Sequence, residues 1–226
     1  MFKPADLFDL SQTEHGEIFQ GCEYAWEALK KIEGYLLAHL RPALHNRCEG
    51  VAYVGKRVFI GEGTVVEDGA MIKGPAIIGR NCEIRHNAYV REQVIIGDNC
   101  VIGNSCELKN SLLFNHAVAP HFNYIGDSIL GYKAHLGAGV KISNFKLVPG
   151  NITLLVDGKP FDTGLRKFGA LLGDQTDIGC NAVLNPGSII GRGSVIYPNT
   201  NWRGILAPNQ IVKNNSAQEV VARKAS

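Results

Sequence analysis

From Val54 onward an aliphatic residue returns at every sixth position of this chain: Val54, Ile60, Val66, Ile72, Ile78, Ile84, Val90, Ile96, Ile102 and Leu108, then Phe114. Four residues after most of these stands a small or compact one: Val58, Thr64, Ala70, Ala76, Cys82, Ala88, Val94, Cys100 and Cys106. The pattern resumes in phase at Leu172, Ile178, Leu184, Ile190, Ile196 and Trp202, with Thr176, Ala182, Ser188, Ser194 and Thr200 in the compact positions. A period of six suits neither a 3.6-residue helix nor a lone alternating strand. It suits a short strand plus a tight corner, repeated, with three units closing a triangular coil of 18 residues. The aliphatic side chain points inward, the compact one sits where the corner leaves little room, and stacked coils form parallel sheets around one continuous core.

Composition agrees. Glycine is abundant at 26 residues and aromatics make up only 8 %, a bias that suits a turn-rich repeat better than a helical bundle. Basic and acidic residues nearly balance, 23 against 21, so neither nucleic acid nor another polyanion is an expected partner. No apolar run approaches a membrane span, and Met1-Phe2-Lys3-Pro4 opens no signal-peptide core. A cytoplasmic location with reduced thiols is expected. The six cysteines include no Cys-x-x-Cys pair, and Cys82, Cys100 and Cys106 occupy compact positions of the repeat, which makes them core fillers.

Residues 1–50 lie outside the repeat and form an N-terminal helical segment. Trp26, Leu29, Ile32, Leu36 and Leu37 have helical spacing, Gly34 weakens it and Arg41-Pro42 ends it. This helix is expected to pack on the first coil and cover its open core. The coil domain spans 51–213 and the polar tail 214–226. After Phe114 the period falters, with Ile125, Leu130, Leu136 and Ile142 as inward candidates. Residues 146–168 leave the repeat as an extruded loop, in which 152–161 read as a hairpin turning at Asp157-Gly158. Excursions from a rigid scaffold are where function concentrates.

Polar residues that break the pattern gather there: Arg91, Lys109, His116, His121, Tyr124, His135, Asn144 and Lys167. Arg91 and Lys109 are 18 residues apart, so they stack one coil above the other, about 4.8 Å apart in backbone. Such a pair either fans into solvent or clamps a phosphate. His121 follows Lys109 by 12 residues and falls on another corner, so it shares a site with the clamp only across an interface between subunits. A neutral imidazole there can take a proton from an attacking amine.

At these residues the chain resembles the acetyltransferase domain of the bifunctional N-acetylglucosamine-1-phosphate uridyltransferase / glucosamine-1-phosphate acetyltransferase family. The resemblance rests on Arg91, Glu107-Leu108-Lys109, His121, Tyr124, Gly126-Asp127, Gly137-Ala138-Gly139 and Asn144, all at the family's spacing, and covers roughly residues 84–205. Phe161 to Gly169 looks like the longer loop of archaeal-type members, and Tyr24-Ala25-Trp26-Glu27 resembles the linker that follows the nucleotidyltransferase domain. The resemblance implies an all-β, left-handed parallel β-helix, a homotrimer and acetyl-CoA as substrate, with no metal required. It implies that Arg91 and Lys109 hold the sugar phosphate, that His121 is the general base and that Asn144 orients the reacting groups. Tyr124, His135 and Lys167 would contact the sugar phosphate. Ala138, Phe145 and Cys180 would lie along acetyl-CoA, and backbone N–H groups from Gly137 to Gly139 would stabilise the oxyanion.

Two departures stand out. No Gly-rich nucleotide-binding segment precedes the helix, so uridyl transfer is not expected of this chain, although a separate nucleotidyltransferase is a conceivable partner. His135 and Cys180 replace the Asn and Ser of well-known members, which leaves the acceptor open. Two alternatives remain: a γ-class carbonic-anhydrase-like zinc protein using His86, His116 and His121, and a non-catalytic trimeric scaffold that binds sugar phosphates.

Overall fold

A computed structural model describes residues 2–156 and 158–214. The tail assigned to 214–226 therefore lies, apart from Asn214, outside the described residues, as does Asp157 of the hairpin turn. Successive short strands visit three faces in turn and pair in parallel with the strands one coil above and below. Among the described residues the faces contain nine, nine and eight strands. Val94–Ile96 lies on the first face, Val101–Asn104 on the second and Glu107–Lys109 on the third. The result is the left-handed parallel β-helix expected, with an N-terminal helical segment and one extruded hairpin. Corner residues recur every six positions in left-handed backbone, as at Asn81, Asn87, Gln93, Asn99 and Ser105, with φ between 52° and 63°. Asparagine tolerates that conformation better than most residues, which explains its frequency there.

The inward aliphatics and the compact residues, Cys82, Cys100 and Cys106 included, form one continuous core. Each of these thiols reaches a carbonyl of the next coil: Cys82 to Gly97 at 3.1 Å, Cys100 to Phe114 at 3.1 Å and Cys106 to Ala119 at 3.2 Å.

Phe114 departs from the expectation. Leu113 takes the inward place, and Phe114 packs outside the prism against Phe8 and Phe19. The coil is one residue shorter here, so Val94 pairs with Ser111 and Glu107 with Tyr124. A second one-residue shortening puts Leu130 inward five residues after Ile125.

The N-terminal segment does not cap the open end. Its α-helix, Ala28–His39, is preceded by short 3₁₀ turns and lies along the outer side of the first face. There Ile77, Ile95, Leu112, Ile129, Leu171 and Ile189, aligned from coil to coil, are buried beneath Leu7, Phe8, Trp26, Leu29, Ile32 and Leu36. First-face strands are thus apolar on both sides. Parallel pairing already begins at Ala43–Leu44 and Arg47–Glu49, inside the segment assigned to 1–50.

The excursion carries the antiparallel hairpin Thr153–Val156 with Lys159–Asp162. Ile152, Leu154, Leu165 and Phe168 root it in the same outer core, and Trp26 packs against both Phe161 and Phe168. No helix among the described residues is long and apolar enough to cross a membrane.

Candidate active site

The structure sorts the predicted residues into two columns that run along the prism. The first column stands where the third face turns toward the first. Arg91 and Lys109 occupy neighbouring rungs there, and Gly126 pairs with Lys109 one rung further. Stacking does not leave the two cations bare. Arg91 Nη1 is 2.9 Å from Glu107 Oε1, and Lys109 Nζ is 3.7 Å from Asp127 Oδ2. The Arg91 Nε is buried without a hydrogen-bond partner, with Glu92 Oε2 3.6 Å away.

Asp127 is the hub of this corner. It is 5 % exposed, accepts from Asn110 Nδ2 at 2.8 Å and accepts from the Asn144 amide nitrogen. An ionised carboxylate only accepts hydrogen bonds, so it fixes the Asn144 amide with nitrogen inward and leaves Oδ1 to accept from a ligand. Asn144 and Tyr124 converge over Gly126: a Cβ there would sit 2.6 Å from Asn144 Nδ2 and 2.8 Å from the Tyr124 hydroxyl. Glycine is required by that close approach. Burial, aided by the Glu107 carboxylate, pushes the Tyr124 hydroxyl above its usual pKa, so the phenol remains a neutral donor. The excursion ends on this corner too. Phe168 N–H donates to the Asn144 backbone carbonyl at 3.0 Å and Gly169 N–H to that of Asp127 at 2.8 Å, with exposed Lys167 preceding Phe168 in the chain.

The second column stands where the second face turns toward the third. His121 ends the strand Val118–His121 with an exposed ring that makes no hydrogen bond among the described residues. Backbone bonds stack it under Ala138 and Cys180: Gly139 N–H donates to His121 O at 2.9 Å, and Asn181 N–H to Ala138 O at 2.8 Å. Asn123, 2 % exposed, steadies this corner, receiving the His121 N–H at 3.2 Å and donating to Gly137 O at 2.8 Å. Phe122 is held at φ 53°, a conformation costly for a bulky residue, with its ring 59 % exposed beside His121. Cys180 is an exposed free thiol. The oxyanion expectation narrows here: the N–H groups of Gly137 and Gly139 are engaged by Ile178 O and His121 O, leaving that of Ala138.

One prism side separates the columns, so His121 and the Arg91/Lys109 pair do not meet within one chain. His135 lies on the second face, its Nδ1 2.7 Å from Asp177 Oδ1, away from Tyr124 and Asn144 on the third. Above Asn144, a cavity of about 590 Å³ opens between the excursion and the prism, lined by Ser143, Phe145, Lys146, Asn185 and Arg203 among others. The Arg166 guanidinium lies 5.1 Å from the Phe145 ring centroid. Sequence reasoning missed Asn110, Asn123, Asn185 and Arg203. The zinc alternative gains no support: among the described residues no group of three His, Cys, Asp or Glu is placed to hold a metal ion.

Comparison with known proteins finds similarity over part of the chain. Residues 72–158 match the family described as the GMPPB C-terminal domain. The bifunctional sugar-1-phosphate nucleotidylyltransferase/acetyltransferase of Sulfurisphaera tokodaii is 36 % identical over 88 residues, 39 % of this chain and 22 % of that protein. The bifunctional protein GlmU of Methanococcus maripaludis is 33 % identical over 89 residues, 39 % of this chain and 21 % of that protein. Over those residues the chain is similar to part of such proteins. Each match spans about a fifth of the relative's own length. Among solved structures, the polysialic acid O-acetyltransferase OatWY superposes with a TM-score of 0.32 at 15 % identity, covering 80 % of this chain and 92 % of that one.

Proposed function

We propose that the protein is an acetyl-CoA-dependent N-acetyltransferase acting on an amino-sugar 1-phosphate, working in the cytoplasm as a homotrimer with each site between two protomers. The observation that carries this reading is the Asp127 hub, which turns the Asn144 carbonyl oxygen outward beside Tyr124 and Lys109.

Arg91 and Lys109 hold the phosphate, exchanging part of their contact with Glu107 and Asp127 for it. Tyr124 and Lys167 contact the sugar phosphate, and Asn144 Oδ1 accepts one N–H of the neutral amine, aiming its lone pair. His121, supplied by the neighbouring protomer, takes the proton released as nitrogen attacks the thioester carbonyl. The Ala138 N–H stabilises the resulting oxyanion. When the C–S bond breaks, His121 returns the proton to the departing thiolate. Phe145 and Cys180 flank the acyl donor, and His135, oriented by Asp177, contributes to acceptor selection.

The test is thiol release from acetyl-CoA with a panel of amino-sugar 1-phosphates, beside His121→Ala. Release that depends on one sugar and falls by about 10²–10⁴-fold in the variant supports the reading. A folded protein that releases no thiol with any acceptor refutes it.

A further inference from the structure

The clamp does not stop at Arg91 and Lys109. Strand pairing on the third face sets Tyr53 against Met71, Met71 against Tyr89, Tyr89 against Glu107 and Glu107 against Tyr124. Two residues later on three of those strands come Lys73, Arg91 and Lys109, one above another, as the bonds from Lys73 N–H to Val90 O and from Arg91 N–H to Leu108 O show. Three cations on consecutive rungs thus run beside a file of Tyr and Met side chains. Tyr53 is 57 % and Met71 39 % exposed, and the Arg91 guanidinium lies 6.0 Å from the Tyr89 ring centroid.

Each cation of this ladder has a carboxylate beside it, Glu92 for Lys73, Glu107 for Arg91 and Asp127 for Lys109, yet one donor is left unmet. Glu92 pairs with Lys73, yet stands 3.6 Å from Arg91 Nε, beyond hydrogen-bond reach, and that buried donor has no partner. Rungs lie about 4.8 Å apart, so two linked phosphates fit between Lys109 and Lys73, with a flat base falling on Tyr89 and Met71.

We propose that the third face below the clamp is a nucleoside-diphosphate subsite, so that the amino-sugar 1-phosphate held by the clamp is the sugar end of a nucleoside-diphosphate-linked acceptor. The placement of the sugar rests on the acetyltransferase reading; the subsite rests on the ladder alone. A nucleoside diphosphate also occurs in the acyl donor, but rung order separates the two. The cavity with Phe145 and Arg203 lies on the far side of Asn144 from Lys73 and Tyr89.

Titration calorimetry on the full chain, with UDP, GDP, ADP and inorganic phosphate, tests the subsite without requiring turnover. UDP or GDP is expected to bind at least ~10-fold more tightly than phosphate, and Lys73→Ala and Tyr89→Ala each to weaken it about 10-fold. Both variants are expected to bind glucosamine 1-phosphate and acetyl-CoA as the unaltered protein does, which also verifies their folding. Nucleoside diphosphates that bind no better than phosphate overturn the proposal. So does a matching loss of acetyl-CoA binding, which assigns the ladder to the donor. Nucleotide binding that persists in a protein without turnover upholds the subsite and refutes the transferase reading instead.

Discussion

Asp127 touches no reacting atom in the mechanism above, yet it decides which end of the Asn144 amide meets the amine. Asp127→Asn removes the compulsion, because a neutral amide both donates and accepts. The kcat is expected to fall at least ~10-fold. The acceptor KM does not rise, since Lys109 loses a competing carboxylate and keeps its charge. Steady-state kinetics with the acceptor varied separates this outcome from general damage, which would raise KM as well. Gly126→Ala, which drives a methyl into the Asn144 amide and the Tyr124 hydroxyl, is expected to lower kcat and to cost about 1–3 kcal/mol of stability, read by steady-state kinetics and denaturant unfolding.

At the scale of elements, the N-terminal segment buttresses the site from outside. Trp26 packs on Phe168, whose N–H holds Asn144. Trp26→Ala leaves a cavity under the excursion and is expected to cost about 3–5 kcal/mol. Denaturant unfolding measures the loss, and faster amide exchange over the hairpin strands shows where it acts. The segment is also expected to respond to pH. Burial lowers the pKa of His15 below 6.5, and its Nδ1 lies 3.0 Å from the Tyr35 hydroxyl. The unfolded chain therefore takes up a proton at a higher pH than the folded one, so this contribution is present above pH 6.5 and lost as the pH falls through the folded value. Thermal midpoints between pH 7.5 and 5.5 are expected to drop more steeply in the unaltered protein than in His15→Asn. Equal slopes would show that His15 is not the group responsible.

At the scale of the whole molecule, a prism side separates the two columns, so the proposed mechanism draws each site from two protomers. Lys109→Ala and His121→Ala homotrimers are each expected to be inactive. Dissociated together and reassociated, they form some interfaces that pair an intact Lys109 with an intact His121. Recovery of roughly a quarter of normal activity is expected from random mixing of equal amounts, read by thiol release after refolding. No recovery from properly reassembled trimers would place both groups in one chain's site.

The six-residue period determined the prism, its core and its corners, because one inward side chain per strand and one compact residue per corner leave no other regular solution. The same period placed Arg91 over Lys109, since a whole coil separates them. It misplaced Phe114, because a one-residue shortening of the coil is invisible until Leu113 and Leu112 are seen to take opposite sides. The doubled aliphatics of the first face, Ile77-Ile78 and Ile95-Ile96 among them, carried the signal that a second layer covers it. What lay beyond the sequence was long-range convergence: Asp127 under Asn144, Trp26 against Phe168, Arg203 beside Phe145. Those contacts join segments 17 to 142 residues apart, or meet across a cavity, and no local pattern encodes them. Repetition along the chain fixes a scaffold because every coil obeys the same local rule; the site arises where coils of different length and an inserted loop bring unlike residues to one corner, and only the folded chain decides that.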